Sequence, residues 1–151
     1  LYKYWALPPS AQYFQSYIKP IKRKTADMTN KDIVKMIKDE DIDYVDVRFT
    51  DPRGKLQHVT LMSDQVDEDF LEEGFMFDGS SIAGWKSIDK SDMKLMLDVD
   101  SAYIDPFYAE KTLCIHCSVV EPDTGEGYDR DPRGTAERAE AYLKSTGIGD
   151  T

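Results

Sequence analysis

Tyr44-Val45-Asp46-Val47-Arg48-Phe49-Thr50-Asp51-Pro52-Arg53-Gly54-Lys55-Leu56-Gln57-His58-Val59-Thr60-Leu61 is the stretch that decides the fold. Val45, Val47 and Phe49 alternate, so a strand here turns them all to one face. Pro52 and Gly54 punctuate a turn, and residues 56–61 read as the return strand of a hairpin. His58 lies inside that strand and reads as structural rather than as a ligand. Upstream, Asn30 is a suitable N-cap, and Ile33, Val34, Met36, Ile37 and Ile42 follow at helical spacing, which predicts a helix over 31–40. Downstream, Ser63 or Asp64 opens a second short helix running through Phe70 and Leu71 and stopped by Gly74. Its acids (Asp64, Asp67, Glu68, Asp69) crowd the first turns, where they favour the helix dipole. Short strands are expected at 93–97 and 102–104, with a break at Asp105-Pro106, and a longer one at 113–120. A last helix is expected over 135–145, terminated by Gly147. Such mixing of strands and helices describes a small α+β domain with a mixed sheet over 28–127, followed at 128–151 by the opening of another unit.

The composition suits a soluble globular chain, with 40% apolar and 32% charged residues. A net charge of −10 argues against nucleic-acid binding and against docking on anionic membranes. The charge is unevenly spread. Residues 1–27 carry five basic side chains (Lys3, Lys19, Lys22, Arg23, Lys24) against Asp27, which leaves 14 basic and 28 acidic residues for 28–151. The first 27 residues, rich in aromatics and proline without periodicity, lack an apolar stretch long enough for a signal peptide or a membrane span. They read as an extension that is disordered or lies upstream of a functional start at Met28. Cys114 and Cys117 form a C-x-x-C around His116. Four ligands are needed for a structural zinc, and no second Cys/His pair is present. In a strand, residues three apart face opposite sides, so the expectation is two reduced, buried or half-buried thiols in a cytoplasmic protein.

Phosphate-cradling glycine motifs are absent, and Asp98-Val99-Asp100-Ser101 lacks the glycine and terminal glutamate of a calcium loop. The chemistry therefore rests on Phe77-Asp78-Gly79-Ser80-Ser81, continued by Ile82-Ala83-Gly84-Trp85 and Lys90-Ser91-Asp92. Gly79 and Gly84 permit backbone geometries closed to most residues. Ser80 and Ser81 can bond neighbouring backbone groups. A loop of this kind aims one carboxylate outward and holds it there, although Asp beside Gly most often only bonds its own backbone.

That stretch, spaced eight residues before Lys90-Ser91-Asp92, resembles the N-terminal signature of bacterial-type (class I) glutamine synthetase. So do Val45-Asp46-Val47-Arg48-Phe49-Thr50-Asp51, Ala102-Tyr103-Ile104-Asp105-Pro106-Phe107 and Gly127-Tyr128-Asp129-Arg130-Asp131-Pro132-Arg133. The resemblance runs in order from about Asn30 to Thr151. Leu97 stands where the family often has proline, and His116 and Ser118 differ from its frequent Arg and Asp.

The resemblance implies a β-grasp N-terminal domain over 28–127 and, from 128, the start of a larger catalytic domain truncated at Thr151. It implies an ATP-dependent ligase that joins glutamate and ammonia through γ-glutamyl phosphate, using Mg2+ or Mn2+. It also implies a ring-shaped homo-oligomer, a dodecamer by resemblance, in which this domain lends its aspartate loop to a neighbouring subunit's active site. Carried over, Asp78 attracts ammonium and helps take its proton, and Ser81 matches the loop serine near the substrates. Trp85 braces the loop or lines the subunit boundary, and Asp92 matches a nearby acid. The metal-binding glutamates, the ATP site and the glutamate-binding arginine fall after Thr151, so no metal ligand is assigned here and the chain alone is expected to be inactive. The competing expectation is a non-enzymatic β-grasp module used for assembly or regulation.

Overall fold

A computed structural model describes residues 27–82, 84–85 and 91–148. The expectations for residues 1–26 and for Lys90 lie outside the described residues. Helix α1 (Asn30–Asp39) begins one residue earlier than the sequence suggests, because Thr29 rather than Asn30 is its cap. Thr29 Oγ1 accepts from the Asp32 amide while Asp32 returns a bond to the Thr29 amide at 3.0 Å, a reciprocal capping box. Ile33 and Ile37, one turn apart, form its buried face.

The hairpin forms as expected from β1 (Tyr44–Thr50) and β2 (Leu56–Met62), paired antiparallel from Tyr44↔Met62 to Thr50↔Leu56. Its turn is stitched by Asp51, whose carboxylate accepts from the Arg53 and Lys55 amides and from Gln57 Nε2, each at 2.9 Å. The second helix is shorter than expected and divided. A 3-10 turn at Ser63–Gln65 precedes α2 (Glu68–Glu73), because Asp67 caps the helix through the Phe70 amide at 2.8 Å. Gly74 ends α2 at φ 82°, and an added Cβ there would lie 2.5 Å from the Leu95 carbonyl oxygen.

The next element, β3 (Phe75–Asp78), was not anticipated as a strand. It pairs antiparallel with β4 (Asp92–Leu97), which is followed by the two-residue β5 (Tyr103–Ile104) and the nine-residue β6 (Thr112–Val120). Among the described residues the strand order is β2-β1-β6-β4-β3, with β5 also on β6. The β1–β6 pair is parallel and the others antiparallel, so the sheet is mixed. Residues of α1, α2, β1 and β6, joined by Ile42 from the connection between α1 and β1, build one half of the core (Ile33, Ile37, Ile42, Val45, Leu71, Leu113, Ile115). The other half gathers Val47, Phe49, Trp85, Met93, Leu95, Cys117, Val119 and Tyr128. Helix α3 (Pro132–Thr146) starts three residues earlier than expected and ends at Gly147. It buries none of its own residues, and Tyr142 is 72% exposed.

Candidate functional site

The second half of the core holds the site in place. Phe77 points inward from β3, its ring centroid 5.3 Å from Phe49 and 5.7 Å from Trp85. Trp85 is 4% exposed and also meets Phe49 at 5.5 Å and Tyr128 at 5.9 Å. The loop therefore carries a core aromatic before it and another within it. Strand alternation then dictates the rest: with Phe77 inward, Asp78 must face solvent, and it does.

Asp78 closes β3 and caps a 3-10 turn at Gly79–Ser81. Its Oδ1 accepts from the Ser80 hydroxyl at 2.7 Å and from the Ser80 amide at 2.9 Å. Those bonds, with smaller contributions from Ser91 and Ser81, hold its carboxyl below the usual range, so it is ionised at neutral pH. Gly79 is pinned at the loop base, its amide donating to the Ser91 carbonyl at 2.7 Å. Asp92 is exposed and sits directly across from Asp78 in the β3–β4 register, which puts a second acid beside the first. Ser81 is exposed on the same turn. Asp78, Ser81 and Asp92 are thus brought together at the β3–β4 end, while Trp85 lies beneath them in the core.

The thiols are buried and unpaired with each other. Burial raises Cys114 to about 11 and Cys117 to about 12, so both are protonated at neutral pH. Cys117 packs in the aromatic half of the core, whereas Cys114 approaches the Asp105 carboxylate at 3.8 Å. Sequence reasoning assigned no role to Tyr128 and Arg130, which touch the loop from the segment after β6. Tyr128 Oη donates to the Trp85 carbonyl at 2.8 Å, and Arg130 Nη1 to the Gly84 carbonyl at 2.8 Å. Their types gave no signal on their own, because both partners are backbone atoms more than 40 residues away.

The fold and the displayed loop define a β-grasp module that presents an anchored carboxylate to solvent. The family model for "Glutamine synthetase, beta-Grasp domain" matches residues 41–122, and the chain belongs to that family. A glutamine synthetase from Cereibacter sphaeroides is 77% identical over 119 residues, which are 79% of this chain and 26% of that protein. A protein from Cupriavidus pinatubonensis named 3-hydroxylaminophenol mutase is 60% identical over 120 residues, 80% of this chain and 26% of that protein. The Plasmodium falciparum glutamine synthetase solved by cryo-electron microscopy has the same fold. Its TM-score is 0.72 at 24% identity, over 82% of this chain and 24% of that one. The chain thus spans about a quarter of the length of the relatives it matches.

Proposed function

We propose that the chain is the ammonium-capturing portion of a glutamine synthetase, in which Asp78 binds ammonium for attack on γ-glutamyl phosphate. The observation that carries this reading is an ionised, solvent-facing Asp78 fixed on a turn whose flanks are anchored in the aromatic core. Ammonium is a cation, and a carboxylate attracts it more strongly once a closing site excludes water. A free Asp, with a pKa of about 3.9, is a weak base towards ammonium. Proton transfer to Asp78 must therefore be coupled to capture: ammonium gives one proton to the carboxylate, and the lone pair so freed forms the C–N bond at the γ-carbonyl. The C–O bond breaks as phosphate departs and takes up the second proton shed by the nitrogen. Ser81 lies on the same turn to contact the substrates, and Asp92 adds negative charge to the cation's approach.

Such a loop, exposed at the end of the sheet, suits a site completed by another subunit in a ring-shaped homo-oligomer. Among the described residues no group of three or more His, Cys, Asp or Glu side chains is placed to hold a metal ion. The described residues offer no such donor set for Mg2+ or Mn2+, and we assign the sites for these ions and for ATP to the remaining length that the relatives have. No described helix is long and apolar enough to cross a membrane.

The test is Asp78→Ala in the full-length protein, assayed for glutamine formation at limiting ammonium. Turnover should fall by roughly 10²-fold, as for loss of a positioned acid–base group. The chain by itself should form no glutamine in the same assay. Near-normal synthesis by Asp78→Ala would refute the assigned role. Full-length protein that folds, binds no ATP and makes no glutamine would favour the non-enzymatic module.

A further inference from the structure

The loop between β3 and β4 is held from beyond the sheet as well as from its base. Tyr128 Oη donates to the Trp85 carbonyl at 2.8 Å in a fully buried bond. Arg130 Nη1 donates to the preceding carbonyl, that of Gly84, at 2.8 Å and also reaches Trp85 O at 3.4 Å. Two successive carbonyls are therefore fixed by two side chains, one through a charge-assisted bond, which is stronger than a neutral one. Gly84, the first of the two, takes φ 88°, a left-handed conformation that favours glycine. Trp85 Nε1 meets no acceptor among the described residues, so the indole is held by ring packing and by its own carbonyl.

The clamp is itself tied down. Tyr128 N donates to Val119 O at 2.8 Å, and Asp131 N donates to Tyr128 O at 3.0 Å. Asp131 is 1% exposed, and its Oδ2 accepts from Val119 N at 3.0 Å and Gly134 N at 3.1 Å. One buried carboxylate thus joins β6 to the first turn of α3, with Tyr128 and Arg130 just before it.

We infer that Tyr128 and Arg130 are positioning residues for Asp78: they clamp the far part of its loop to β6 and the start of α3, and so set how well ammonium is captured. This rests on the role proposed above for Asp78. Without the clamp, Asp78 keeps its Ser80 bonds, but its loop is held only at its base and by the packing of the Trp85 ring. Ammonium capture then suffers most, because glutamate and ATP touch this turn only through Ser81 and are held mainly by the rest of the full-length protein.

The experiment compares Tyr128→Phe, Arg130→Met and Arg130→Lys with Asp78→Ala in the full-length protein. Tyr128→Phe and Arg130→Met should raise the KM for ammonium roughly tenfold, on the scale of small misplacements of a reacting group. The KM for glutamate should stay within about twofold, since the turn adds only the Ser81 contact to that binding. Amide exchange in the 77–85 peptide should quicken, and Arg130→Lys, which keeps a cationic donor, should recover part of the loss. If Asp78→Ala raises the ammonium KM but the clamp variants leave both it and amide exchange unchanged, the clamp is refuted alone. If Asp78→Ala leaves the ammonium KM unchanged, the proposed function falls and the clamp's role with it. Should Tyr128→Phe fail to assemble, Arg130→Met decides, because Arg130 is exposed and its truncation leaves the core intact.

Discussion

Asp46 is 0% exposed and still ionised, and its surroundings explain why. Burial alone would raise its pKa, but hydrogen bonds from Arg48, His58 and Thr60 more than offset this and hold it below the usual value. Arg48 Nε and His58 Nδ1 each lie 2.7 Å from the carboxylate, and Thr60 Oγ1 donates at 2.8 Å. Arg48 continues the network to Tyr103 Oη at 2.6 Å and Asp105 at 2.9 Å. Removing one member of a buried ionic cluster strands the others. Asp46→Ala should therefore lower stability by about 3–5 kcal/mol, read from urea unfolding of the chain; a loss under about 1 kcal/mol would mean that the network is dispensable. The alternation of Val45, Val47 and Phe49 was legible in the sequence because it is local. The burial of Asp46 and Arg48 on the opposite face was not, since Tyr103 and Asp105 lie 55 and 57 residues from Arg48. His58 was read as structural, and it does bond within the sheet, to Asp46.

At the scale of elements, the β3–β4 pair shows where sequence patterns fail. Phe75 and Phe77 turn inward while Met76 and Asp78 face out, yet four residues between Gly74 and Gly79 are too few for a period to stand out. Pairing with β4 supplies what the local pattern lacks. The loop's placement depends on Gly79, which is buried against β4. A Cβ there would lie 2.5 Å from Met93 Sδ and 3.0 Å from the Ser91 carbonyl oxygen. Met93 is fully buried and has little room to retreat. Gly79→Ala should therefore destabilise by about 1–3 kcal/mol through overpacking, and it should disturb the turn on which Asp78 sits. Chemical denaturation of the variant, paired with its ammonium KM, tests both parts. Parental stability together with parental KM would show that the close approach relaxes without consequence.

For the whole molecule, the titrating groups set a window of stability. Asp46, Asp51, Asp78 and Asp105 all have folded pKa values below the ordinary one. The causes are Arg48, His58 and Thr60 outweighing burial at Asp46, Gln57 and the Lys55 amide at Asp51, Ser80 at Asp78, and the Phe107 amide then Arg48 at Asp105. A carboxylate with a depressed folded pKa contributes stability that is present above its unfolded pKa of about 3.9 and lost as pH falls through the folded value. His116 is lowered by burial and by the nearby Arg133 and Arg48. Protons therefore favour the unfolded state from about pH 6.5 downward, so a shallow loss should precede the steep one. Cys114 and Cys117 are raised by burial to about 11 and about 12. Their contribution is intact below the unfolded thiol value of about 8.5 and declines as pH rises through the folded values. Urea midpoints between pH 2.5 and 10 (roughly the range these groups span) should form a plateau near neutrality, falling gently below 6.5, steeply below 4, and again above 8.5. Cys117→Ala should flatten the alkaline limb, because the alanine has no proton to lose. Constant midpoints from pH 6.5 to 3 would contradict the carboxylate network, and an unaltered alkaline limb in Cys117→Ala would remove that thiol from the account.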